Sequence, residues 1–163
     1  MRIPGKVFSW IVLAGAYCWA TEITCTRDDI RGQTLDLSTK GIVNLDNTTL
    51  AACSSLPGRT QIRTITFELG RGSIETVTPG AFSVLQGWFV QNLNFASNQL
   101  KQLQPGTFNG LPHLTSLDLS GNYLEYLDPK ALEGLWQLDS LDLTHNALST
   151  IEQGVCAPVP DSV

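Results

Sequence analysis

Methionine occurs once in this chain and histidine twice, and its four cysteines form no CxxC pair. Structural zinc sites draw on Cys and His at close spacing, so these shortages exclude a multi-metal scaffold. Basic residues are also scarce, with ten Lys and Arg against fifteen Asp and Glu and a net charge of −5. Phosphate-directed binding needs a basic surface, which excludes nucleic acid as a general partner. No apolar run reaches the ~20 residues of a membrane span. Phosphate-binding loops, HExxH and GxSxG are all missing, so no cofactor is expected and catalysis has no motif to rest on. Hydrophobic residues make up 42% of the chain, which argues against wholesale disorder. Its 163 residues are the length of one domain.

The first twenty residues read as an export signal. Arg2 and Lys6 precede the apolar run VFSWIVLAGAYCWA, which ends with small side chains at Cys18 and Ala20, so cleavage is expected after Ala20. The product is then secreted, with no membrane anchor. An oxidising destination favours pairing of Cys25 with Cys53, since both lie in the N-terminal segment. Cys156 lacks an obvious partner, which leaves an intermolecular bridge, a buried thiol or a partner elsewhere. Asn47-Thr48-Thr49 is the sole glycosylation sequon.

A repeat organises the rest. Segments starting at Val90, Leu114 and Leu138 superpose without a gap at a period of 24 residues. Taking each start as position one, apolar residues stand at positions one, four and six, Asn at nine (Asn98, Asn122, Asn146) and Leu at eleven. Alternation, as in Leu117-Asp118-Leu119, makes a strand with one buried face. An Asn amide at position nine can satisfy backbone groups where strand gives way to loop. Leu100, Leu103, Phe108 and Leu111 return the chain across the core. Pro105 and Pro129 point to turns or short 3-10 pieces on the far side. One such unit cannot bury its apolar face alone, so units must stack. Weaker copies lie upstream: Ile62, Ile65 and Phe67 open one, with an insertion around Gly70–Gly72, and Thr34–Leu45 is a degenerate first copy with Lys40 in place of Asn.

This pattern resembles the leucine-rich repeat, LxxLxLxxNxL, whose period runs about 20–29 residues. The resemblance implies an α/β solenoid: a horseshoe segment with short parallel strands on the concave face and an irregular, 3-10 convex side. Domain limits follow as a signal peptide (1–20), an N-terminal cap with the degenerate first repeat (21–61), repeats (62–161) and a tail (162–163). It further implies recognition of an extracellular protein or glycan, as in Toll-like and lymphocyte-receptor ectodomains. The concave-face candidates are Asn92, Asn94, Ser116, Asp118, Ser140 and Asp142, with His145 at the strand's end. Other outward positions are Arg63, Thr64, Thr66, Glu68, Gln91, Ala96, Thr115, Ser120, Asp139 and Thr144.

Asp118 and Asp142 should be stacked neighbours at ~4.8 Å strand spacing, a like-charge arrangement that a basic ligand group would relieve. From Thr76 onward only Lys101 and Lys130 face eight acidic residues, which favours a partner with a basic surface. Trp88 and Trp136 are expected to fill gaps between repeats. Ser140, Asp142 and His145 are the residue types of a hydrolase triad, but an open strand offers no pocket or oxyanion site, and no enzyme is expected. Two other readings are an assembly protein that dimerises through Cys156 or its uncapped C-terminal repeat, and a fragment of a membrane-bound receptor.

Overall fold

The structure is a computed structural model and describes residues 25–56, 58–67 and 74–149. The export signal, Glu68, the Gly70–Gly72 insertion and Cys156 lie outside the described residues. In chain order the strands are β1 (Ile30–Arg31), β2 (Thr34–Asp36), β3 (Asn44–Leu45), β4 (Thr64–Thr66), β5 (Thr76–Val77), β6 (Asn92–Asn94), β7 (Ser116–Asp118) and β8 (Ser140–Asp142). One six-stranded sheet runs β1-β2-β4-β6-β7-β8, and β3 pairs with β5 in a small second sheet. β1 is antiparallel to β2, and every other pair is parallel.

The register shows why the strands form where they do. Leu35, Ile65, Leu93, Leu117 and Leu141 sit side by side at position four of successive units. The first four are buried, and Leu141 in the last described unit is half-buried. Their neighbours at positions three and five are polar, so alternation turns one face of each strand inward. The degenerate copy around Leu35 is therefore a full member of the sheet. Lys40, which stands in place of its Asn, instead reaches back to Asp29 in an ion pair of 2.7 Å.

Behind the sheet, the returning chain supplies a second apolar layer. Phe67 stacks on Phe95 with ring centroids 4.7 Å apart, Phe82 meets Phe95 edge-on at 6.1 Å, and Phe82 stacks with Phe108 at 6.0 Å. All four rings are buried and link two successive units into one core. Pairs of this kind contribute about 0.5–1.5 kcal/mol each beyond their area burial. Helical structure among the described residues is 3-10 throughout, as in Ser83–Leu85 and Pro129–Leu132. The return leg is too short for an α-helix to repeat once per unit, and Pro79, Pro105 and Pro129 withhold the backbone donors that a longer helix needs.

At the N-terminal end, Cys25 and Cys53 are joined by a disulfide, with Cα atoms 4.9 Å apart. Cys53 is buried, so the bridge pins the entering chain to the core. Burial raises the Asp29 pKa, but the bonds from Lys40 and Thr26 outweigh it and hold the carboxyl below its usual value. The bridge closes a sequence separation of 28 residues. Replacing both cysteines by serine should cost about 2–4 kcal/mol, mainly by freeing the unfolded chain. Thermal melts of the double variant against the parent, with and without reductant, check this. An unchanged melting temperature would mean that the packing of the N-terminal segment suffices without the bridge.

Candidate functional site: the strand face

The polar side of the six-stranded sheet is built from columns. Position five aligns Asp36, Thr66, Asn94, Asp118 and Asp142 across five strands. Position three aligns Thr34, Thr64, Asn92, Ser116 and Ser140, and the Asn92 amide donates to the Thr64 hydroxyl at 3.3 Å. Position two aligns Arg63, Gln91, Thr115 and Asp139, where each backbone N–H donates to the carbonyl of the unit before it at 2.7–2.8 Å. Asn92, Ser140, Asp142 and His145 are exposed, whereas Asn94, Ser116 and Asp118 are half-buried. The structure thus brings six of the seven candidates onto one face. Ala96 departs from expectation: it is buried, because the chain turns immediately after the strand and carries this small side chain inward.

The acidic column has local partners. Asp118 Oδ1 accepts from the Ser120 N–H at 2.9 Å, and Asp142 Oδ1 from the Thr144 N–H at 2.9 Å. Asn94 does the same toward Ala96 at 2.8 Å, and Asp36 toward Ser38 at 3.0 Å. Position five is therefore an Asx turn that ends each of these strands, and Asp and Asn serve it equally. The stacked carboxylates need no ligand to explain their presence. The Thr144 N–H, then its hydroxyl, hold the Asp142 carboxyl below its usual pKa, and nearby His145 adds to the effect. For Asp36 the Ser38 hydroxyl is the main cause of the same downward shift.

Beyond the Asx turn the chain reverses through position eight, where Ser97 and His145 take left-handed φ values of 58° and 56°. Gly121 holds the equivalent place, so His145 occupies a conformation that favours glycine. It lies past the turn, whereas Ser140 and Asp142 are on β8 itself. The next residue, the position-nine Asn, turns into the core. Among the described residues, no group of three or more His, Cys, Asp or Glu is placed to hold a metal ion.

One cluster escaped the sequence reading. Phe89 and His113 are each the last residue before the next unit, equivalent to position twenty-four of the regular repeat, and their rings stack at 4.8 Å. The Arg63 guanidinium lies 5.5 Å from the Phe89 ring centroid, and its Nη1 donates to the Thr60 and Ile62 carbonyls. Phe89 remains 49% exposed. A linear sequence does not show which columns touch, although listing the last residue of each unit aligns His113 with Phe89. The two tryptophans also differ from one another. Trp88 is buried as expected, but Trp136 is 66% exposed.

Residues 90–155 match the family model described as leucine rich repeat. That segment is similar to the leucine-rich repeat family, and the match begins with the first of the three gapless units, at Val90. Comparison with curated proteins gave no match. Leucine-rich repeats commonly mediate protein binding, and no helix among the described residues is long and apolar enough to cross a membrane.

Proposed function

We propose that this is a secreted recognition protein whose strand face, concave in the horseshoe that the repeat pattern implies, holds a protein ligand with a basic surface. The observation that carries this reading is the column Asn94, Asp118 and Asp142, where polar and acidic groups stand in register on the open side of a parallel sheet. Asn92, Ser116, Ser140 and His145 supply flanking donors and acceptors, and a glycan is the runner-up ligand. Binding rather than catalysis is the role that fits a row of side chains already engaged in ending their own strands. Export with removal of residues 1–20 and a glycan on Asn47, which is exposed in the turn after β3, belong to the same reading.

The Asx turns decide how to test it. Reversal to Lys would break the turns as well as the charge, whereas Asn keeps the backbone bond, as Asn94 already does. The chain, secreted from eukaryotic cells and checked by intact mass for a start at Thr21, is screened against immobilised extracellular proteins and glycans. For a protein captured in that screen, Asp118→Asn with Asp142→Asn should weaken binding by about tenfold or more and flatten its salt dependence, with an unchanged melting curve. Undiminished binding by the double variant would remove the acidic column from the site.

A further inference from the structure

We propose that the strand-entry edge is a self-complementary surface through which two copies of this chain pair about a two-fold axis. A two-fold interface requires one patch to match itself when rotated by half a turn. The position-two column does so. It begins with basic Arg63, passes neutral Gln91 and Thr115, and ends with acidic Asp139, and consecutive backbone hydrogen bonds of 2.7–2.8 Å hold the four in order. An axis between Gln91 and Thr115 sets Arg63 of each copy against Asp139 of the other and forms two equivalent ion pairs.

The apolar content of the edge follows the same symmetry. Phe89 and His113 are the position-twenty-four residues on either side of that axis, so each Phe89 meets the His113 of the second copy. Trp136 lies three residues before Asp139 and comes to the Arg63 end of the partner copy. Phe89 and Trp136 are 49% and 66% exposed, among the most exposed large apolar side chains described, and aromatic and Arg side chains dominate interface energetics. The Arg63 guanidinium is already held over Phe89 by its bonds to Thr60 and Ile62, so little ordering remains on association. This edge is separate from the position-five column and leaves the strand face open. It is also separate from the outer side of β8.

The column spans three strand spacings, roughly 14 Å, so the contact is at the small end of specific interfaces and pairing in the micromolar range is expected. The test is sedimentation equilibrium on the full secreted chain at low and high salt, with and without reductant. The parent should form a reversible dimer that salt weakens. Arg63→Asp and Asp139→Arg should each weaken it at least about tenfold, and the combined swap should restore it. Phe89→Ala should weaken it without altering salt dependence. Because Arg63 also bonds backbone carbonyls, each variant is melted by circular dichroism; if Arg63→Asp fails to fold, Asp139→Arg, at an exposed position, carries the test alone. A parent that stays monomeric, a dimer indifferent to Asp139→Arg, or a dimer lost on Cys156→Ser would each overturn the proposal.

Discussion

Asn122→Ala should destabilise the protein by about 3–4 kcal/mol, read as a shift of the urea midpoint at constant slope. The Asn122 side chain is 4% exposed. Its Oδ1 accepts from the Leu100 N–H at 3.1 Å, and its Nδ2 donates to the carbonyls of Phe95 (3.0 Å), Leu119 (2.9 Å) and Ser120 (3.2 Å). Alanine leaves the Leu100 N–H orphaned in the core, where an unmet donor costs about 1–3 kcal/mol, and removes the bonds that tie this unit to the one before it. The carbonyls are shared: Phe95 O also accepts from Asn98, and Leu119 O from Asn146. That sharing sets a ranking. Asn98→Ala should cost about as much as Asn122→Ala, since Asn98 supports the Ile74 N–H and the carbonyls of Phe67, Phe95 and Ala96. Asn146→Ala should cost clearly less, because Asn146 is half-exposed in the last described unit and water can replace part of its bonding. Equal effects at all three positions would show that the amide column does not act through burial.

Gly110→Ala should cost about 3–5 kcal/mol, combining backbone strain with overpacking. Gly110 has φ of +105°, and a Cβ there would stand 2.5 Å from Phe82 O, 2.7 Å from Phe82 C and 3.0 Å from Ser83 Cα. All three are backbone atoms of the preceding unit, so no side chain can rotate to make room, and Phe82 anchors them in the aromatic stack. Gly134 provides the control. It holds the same position, twenty-one, one unit later with φ of +89°, yet the nearest atom to its Cβ would be Asn109 Oδ1 at 3.7 Å. Gly134→Ala therefore meets only the conformational penalty, about 1 kcal/mol. Comparable losses at the two glycines would mean that close approach of the units is not what requires glycine at position 110.

These two residues also mark how far the sequence could be read. The period of 24 and the buried positions four and six were legible because each follows from local alternation repeated in register, and the Asn at nine was legible as a partner for backbone groups at the strand's end, though not as a buried side chain. The column Asn94, Asp118 and Asp142 was legible for the same reason: one strand per unit and a constant unit length leave a single parallel alignment. What those carboxylates bond to was not legible. Their partners are backbone N–H groups two residues on, and sequence shows a side chain without the turn that brings a donor to it.

Gly110 and Gly134 look alike in the repeat, and only the neighbouring unit separates them. Backbone atoms of Phe82 and Ser83 would stand within 3.0 Å of a Cβ on Gly110, whereas only the Asn109 side chain comes within 4 Å of one on Gly134. Trp88 and Trp136 also diverge, one buried and the other 66% exposed. The stack of Arg63, Phe89 and His113 joins residues at positions two and twenty-four, which are distant within a unit and adjacent only across the join between units. By itself, then, the sequence determined the unit, its period and the side of each strand that is buried, because those depend on the alternation of side chains along the chain. The tertiary structure alone decided which units approach closely, which aromatics stay exposed and what the polar groups bond to, because those depend on distances between units that local pattern does not encode.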